Sequence, residues 1–217
     1  YVCQCGSCTS RNPSVVLRPG TSAVVWLTNS TPTWSVCTVA AATLAAALDG
    51  QNAIACCLGI RRTGKAPWSA LLSPPDLMTR VASLLVSAMP HGGVRRVVAI
   101  SAGGVAESIT QCTGVIRWLA GAGNVGVAYR DLADMERQLS ASRLDWLAVR
   151  PVTLMNGGPT GLARKVDRYG LFSIVRRSDV AAWMLGALSR PTPYVEQTVL
   201  LGTFIRNRIV GTGNGEQ

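Results

Sequence analysis

Residues 144–161 read Leu144-Asp145-Trp146-Leu147-Ala148-Val149-Arg150-Pro151-Val152-Thr153-Leu154-Met155-Asn156-Gly157-Gly158-Pro159-Thr160-Gly161. They join a short apolar run to a segment that no regular element can hold. Residues 145–149 have the length and composition of a buried strand. Arg150-Pro151 is expected to end it, because the residue before a proline is restricted and proline has no N–H to give to a ladder. Asn156-Gly157-Gly158-Pro159 then forces a polar, tight and open loop. In an open parallel sheet, ligands bind in the crevice at the carboxyl ends of the strands, so this loop marks the expected site.

Working outward, apolar runs short enough for buried parallel strands also occur at residues 23–27, 53–58, 97–100 and 195–201. Helical patterns lie between them. Over residues 73–89, Leu77, Met78, Val81, Leu84, Leu85 and Ala88 fall on one face, with Ser73 as the expected cap and Pro74 at the first helical position. Residues 38–48 are Ala-rich and stop at Gly50, residues 129–140 carry Leu132, Met135 and Leu139 on one face, and residues 178–188 form the last helix. Each parallel connection needs a crossover of about a dozen residues. Strands alternating with helices therefore predict one α/β domain, a doubly wound parallel sheet in three α/β/α layers.

Composition sets limits on partners. The 217 residues carry 21 Lys and Arg against 11 Asp and Glu, a net charge of +10. The basic residues stand in small dispersed groups with no zinc-finger spacing, RNP-type run or basic helix, so nucleic acid is not expected and an anionic ligand is. No apolar run reaches the length of a membrane span, and no leader pattern opens the chain, so we expect the cytosol and no membrane partner. Seven cysteines, an odd number without a secretory signal, read as reduced thiols. The Cys3, Cys5, Cys8 cluster lacks a clean ligand pair, His91 sits beside Gly92-Gly93, and no metal site is expected. Trp34, Trp68 and Trp118 fall outside the strands and read as surface or rim aromatics, with a pocket or partner contact as the alternative.

The run YRDLADMERQLSASRLDWLAVRPVTLMNGGPTG, residues 129–161, followed by Ile174-Val175-Arg176-Arg177-Ser178-Asp179-Val180-Ala181, resembles the NAD(P)H-binding, atypical short-chain dehydrogenase/reductase group. That group includes NmrA-like proteins and the flavin reductase/biliverdin IX beta reductase type. The resemblance runs from about residue 44 to residue 202; residues 1–43 are atypical and 203–217 read as a tail. It implies a Rossmann-like fold and an NADP cofactor, with NAD as the alternative.

The resemblance also implies site residues. Arg11 would meet the adenosine ribose or its 2′-phosphate. Leu58 and Gly59 would pass their backbone close to the dinucleotide. Ser101 would sit near the nicotinamide, or else cap the next turn. Pro151 and Val152 would contribute backbone contacts, with Arg150 beside them or serving as an ion-pair partner. The strand, glycine-rich turn and helix N-terminus that hold a pyrophosphate are not readable in residues 1–43, and are expected upstream of Tyr1. Residues 1–38 instead hold twelve Ser or Thr, four Cys and no acidic residue, which suggests a truncated or altered N-terminus.

Tyr129 is the candidate proton donor, but the Tyr-x-x-x-Lys pattern fails because Ala133 stands four residues on. A phenol without the adjacent cation is a weak acid, so wall or packing roles compete with catalysis. Asp131, Asp134 and Glu136 read as first-turn helix charges. Hydride transfer to a flavin-like or quinone-like acceptor needs no obligatory side-chain acid. The alternatives are a non-catalytic, NADP-sensing NmrA-like protein and a chain with impaired cofactor binding. The expected partner is a small-molecule acceptor, and the expected state a monomer or weak homo-oligomer.

Overall fold

In the computed structural model, residues 15–16, 24–28, 44, 48 and 50–203 are described. Among the described residues there are nine strands: β1 (Val15–Val16), β2 (Val24–Thr28), β3 (Ala53–Cys57), β4 (Arg96–Ile100), β5 (Asp145–Pro151), β6 (Thr153–Met155), β7 (Ala163–Lys165), β8 (Ile174–Arg176) and β9 (Thr198–Thr203). The helices are α1 (Leu77–Ala88), α2 (Gly114–Gly121), α3 (Gly123–Ser140) and α4 (Arg177–Leu188), with a 3-10 turn at Ala106–Gln111. The main sheet has the order β1-β2-β3-β4-β5-β9-β7. Strands β2, β3, β4, β5 and β9 are mutually parallel, whereas β1 and β7 close the edges antiparallel. β6 and β8 form a separate parallel pair.

The sheet is apolar on both faces, as a covered parallel sheet must be. Ile54, Cys56, Val97, Ala99, Trp146 and Ala148 point to one side, where they meet Leu48, Leu77, Met78, Leu85, Met135 and Leu139. Ala53, Ala55, Val98, Leu147 and Val149 point to the other, against Val180, Met184 and Leu188 of α4. The result is the expected Rossmann-like α/β/α sandwich. Within the described residues the parallel strands follow chain order without reversal. The crevice is therefore defined by the loops leaving β3, β4 and β5.

Several element boundaries differ from expectation. α1 starts at Leu77, not after Ser73. Pro74 precedes Pro75 and is thereby kept out of helical geometry. Ser73 Oγ instead accepts the Arg61 N–H at 2.8 Å. α3 starts at Gly123, six residues before Tyr129. Its glycines read as a turn, but the Asn124 N–H donates to Pro67 O at 2.7 Å and so satisfies a first-turn donor. Asp131 and Glu136 are consequently mid-helix and buried rather than first-turn charges.

β5 runs through Arg150 to Pro151, which pairs with Leu201. The ladder continues because the proline carbonyl is used, accepting the Gly103 N–H at 2.9 Å. β9 starts at Thr198, leaving Val195 fully exposed.

Candidate functional site

The loops that leave β3, β4 and β5 converge around Ser101. This residue follows β4 directly and is 7% exposed; its N–H donates to Val149 O at 2.7 Å. Its Oγ is buried and has no hydrogen-bond partner among the described residues, so it does not cap the next turn there. A buried hydroxyl left unpaired costs about 1–3 kcal/mol.

Gly103 and Gly104 follow. A Cβ on Gly103 would lie 2.9 Å from Tyr169 Cδ1 and 3.2 Å from Pro151 O, and Gly104 has φ +94°. Only glycine allows both the close approach and the left-handed turn. Cys112 Sγ and Tyr129 Cε1 each lie 3.3 Å from the position of a Cβ on Gly104. Tyr129 Oη donates to Gly103 O at 3.1 Å. Burial, with Tyr169 and Cys112 nearby, raises the Tyr129 pKa well above the ordinary phenol value, and Arg62 only partly opposes this. The phenol is thus a clamp on the Gly103 loop and a poor acid.

Tyr169, which was not singled out in the sequence, completes this wall. It is buried, its Oη shares a hydrogen bond with Thr153 Oγ1 at 3.0 Å, and its backbone is bonded to Gln111 and Thr113. Its only sequence mark is an aromatic residue before Gly170 in an otherwise polar stretch.

The other expected site residues fall as follows. Leu58 is buried and Gly59 half-buried, and no described atom lies within 4 Å of where a Cβ on Gly59 would sit. Pro151 O accepts the Gly103 N–H and Val152 N–H donates to Leu201 O, so both residues are fixed at the end of β5. Arg11 lies outside the described residues, as does Trp34.

Arg150 requires a correction: it is an ion-pair partner rather than a cofactor contact. It is 3% exposed; Nη1 and Nη2 reach Glu107 at 2.5 and 3.2 Å, Nε reaches Glu136 Oε1 at 3.1 Å, and Nη2 also bonds Glu136 Oε2. Burial disfavours its charge, but Glu136 and Glu107 outweigh that and raise its pKa. A cavity of about 310 Å³ borders this network, between Glu107, Lys165, Asp167, Glu196 and Thr198. It shares none of Leu58, Gly59, Ser101 or Tyr129.

The Met155–Gly161 region is exposed but tied down. Asn156 Oδ1 accepts from Arg177, Gly157 O from Ser178 Oγ and Gly158 O from Arg176, at 2.6, 2.8 and 2.9 Å. Asp179 Oδ1 accepts the Thr160 and Gly161 N–H groups at 2.6 and 2.9 Å, and Oδ2 accepts Thr160 Oγ1 at 2.6 Å. The loop is sewn to the first turn of α4. Burial raises the Cys56 thiol pKa to about 11 and the Cys57 thiol pKa to about 12, so neither thiol is a ready nucleophile.

An NAD(P)H-binding family profile matches residues 22–191, most of the chain and all of the site just described. The chain belongs to the NAD(P)H-binding family. A comparison with curated proteins found no match. Among solved structures, the chain is similar to ChuY, an anaerobilin reductase from Escherichia coli O157:H7, at 22% identity and TM-score 0.57, covering 76% of this chain and 71% of that one. It is also similar to a short-chain dehydrogenase/reductase from Veillonella parvula in complex with NADP, at 15% identity and TM-score 0.55, covering 76% and 68%. A third, an exported protein from Burkholderia pseudomallei, is 24% identical with TM-score 0.52, covering 75% and 77%. At these identities the likeness establishes the family's Rossmann-like fold.

Proposed function

We propose that this chain is an NADPH-dependent reductase that passes hydride to a flavin-like or quinone-like acceptor at the carboxyl ends of β3, β4 and β5. The observation that carries this reading is the unpartnered, buried Ser101 Oγ at the end of β4, inside a chain of the NAD(P)H-binding family. A hydroxyl fits the carboxamide end of a nicotinamide, since it can both donate and accept. Leu58 and Gly59, at the end of β3, would pass close to the dinucleotide, and Pro151 and Val152, at the end of β5, would lie beside its nicotinamide. The bound dinucleotide supplies the hydride.

The chain's own contribution is orientation and exclusion of water. Ser101 fixes the reacting end; Gly103 and Gly104, clamped by Tyr129 and Tyr169, hold the loop that carries Ser101. Tyr129 gives its proton to Gly103 O, and its raised pKa keeps it there, so the proton that follows the hydride comes from water. An acceptor whose reduced form takes its proton from solvent suits such a site.

The similarity to an anaerobilin reductase and to an NADP complex agrees with this reading. The test is NADPH oxidation followed at the nicotinamide absorbance with free flavins and short-chain quinones. Turnover that falls on Ser101→Ala supports the proposal. Saturable NADPH binding without turnover on any acceptor favours a sensor, the reading that the occupied Tyr129 phenol also allows.

A further inference from the structure

Five large apolar side chains stand exposed around one short helix. On α2, Val115 is 55% and Trp118 65% exposed; beside it Trp68 is 76%, Leu171 57% and Phe172 84% exposed. Hydrogen bonds bring these residues together. At the start of α2, the Thr113 N–H donates to Tyr169 O at 3.0 Å, and Gly170 and Ser173 close a turn with Leu171 and Phe172 at its corners. Just beyond the end of α2, Asn124 holds the hairpin after β3: its N–H donates to Pro67 O at 2.7 Å and its Nδ2 to Ser69 O at 3.0 Å. Eight helical residues span about 12 Å, so the turn, the helix and the hairpin tip form one surface.

The charge of that surface is one-sided. Residues 59–73, 112–125 and 168–173 contain Arg61, Arg62, Lys65, Arg117 and Arg168 and no Asp or Glu, with one exposed carboxylate, Asp167, at their border. Among the described residues, Arg62 and Arg117 bond backbone carbonyls, Ala66 O and Cys112 O, and no carboxylate. Tryptophan and phenylalanine flanked by cations are the composition of an interfacial anchor, in which rings enter the headgroup region and cations meet anionic lipids. Apolar side chains lining a small-molecule pocket would be covered, whereas these project outward.

We propose that this face docks peripherally on an anionic lipid bilayer, with Trp68, Trp118 and Phe172 entering the interface. This departs from the expectation of no membrane partner, which rested on the absence of an apolar span. No helix among the described residues is long and apolar enough to cross a membrane, and none is needed here. The face is built from segments that follow β3, β4 and β7, and the ends of β3 and β4 also carry the proposed crevice, but vesicle binding is read without dinucleotide or turnover.

The test is co-sedimentation of the full chain with phosphatidylcholine vesicles, with and without phosphatidylglycerol, at low and high salt. Binding is expected only with phosphatidylglycerol, falling as salt rises. The Trp68→Ser/Trp118→Ser/Phe172→Ser variant should bind at least about tenfold more weakly. Each cation contributes roughly fivefold, so Lys65→Glu/Arg168→Glu should lose more than about tenfold. All five side chains are exposed, and thermal unfolding checks that both variants fold. The proposal is overturned if folded protein ignores phosphatidylglycerol vesicles at low salt, binds neutral vesicles equally, or binds unchanged in both variants. It is also overturned if the same variants abolish self-association in light scattering while vesicle binding is absent, which would assign the face to a second copy.

Discussion

Asp131 caps the helix that begins near Met78, although it sits in the middle of a different one. Its Oδ2 accepts the Met78 N–H at 2.8 Å, and its Oδ1 accepts Thr79 N–H and Oγ1 at 2.9 and 2.7 Å. The local N-cap, Asp76, makes no capping bond and pairs with Arg80 instead. One buried carboxylate thereby fixes α1 against α3, the two helices that cover one face of the sheet.

Asp131→Ala should therefore cost more than an exposed cap. Two backbone donors and one hydroxyl lose a buried acceptor, and we expect a loss of about 2–3 kcal/mol. For a chain of this size that is a fall in melting temperature of roughly 5–10 °C. Asp131→Asn keeps one acceptor and should lose less. Denaturant unfolding at constant m-value checks both.

Arg150 and Glu136 make the second structural prediction. Arg150→Met leaves Glu136 charged and buried, which should cost about 3–5 kcal/mol. Adding Glu136→Leu removes the stranded charge and should restore most of the loss. A double variant no more stable than the single one would show that the pair contributes in some other way.

Glu107 carries an acid-limb prediction. Hydrogen bonding from Arg150, the largest cause, lowers its pKa from the ordinary 4.5, and burial only partly opposes this. A depressed carboxyl pKa adds stability above the unfolded value and loses it as pH falls through the folded one. Because Glu107 is 69% exposed, the contribution is at most about 1 kcal/mol. Stability of Glu107→Gln should thus differ from wild type at neutral pH and converge with it well below pH 4.5. Equal stability across the whole range would contradict the pairing.

Asp179 ties the Thr160–Gly161 segment to α4 by accepting two backbone N–H groups and the Thr160 hydroxyl. Asp179→Ala should free the loop, and amide exchange at Gly157, Gly158, Thr160 and Gly161 should accelerate at least about tenfold, the equivalent of one lost bond. Exchange unchanged at these amides would mean that Arg176 and Ser178 suffice to hold it.

The sheet was legible because β3, β4 and β5 are short, continuous apolar runs, which only a doubly covered parallel sheet explains. The place of Ser101 just after β4 was legible because the apolar run stops at Ile100. What escaped detection depends on partners distant in sequence. Asp131 reads as a surface charge until Thr79, 52 residues away, is placed beside it. For Arg150 the ion-pair role was legible as an alternative, but its partners Glu107 and Glu136 were not. The loop at Asn156 carries every mark of an open ligand loop, yet Asp179, Arg176 and Ser178 tie it down, and no local pattern encodes that docking. α3 was read six residues short because its glycines suit a helix start only when Pro67 supplies the acceptor.

The central claim is that the crevice around Ser101 binds a reduced nicotinamide dinucleotide. Its most direct test is a titration of the wild-type chain and of Ser101→Ala with NADPH and with NADH, following nicotinamide fluorescence and thermal protection. We predict saturable binding that prefers NADPH and weakens by up to about tenfold on loss of one hydrogen bond in Ser101→Ala, with that variant's own stability unchanged or slightly raised because an unpaired buried hydroxyl is removed. A folded wild-type chain that binds neither dinucleotide, or a Ser101→Ala chain that binds NADPH as tightly as wild type, would contradict it.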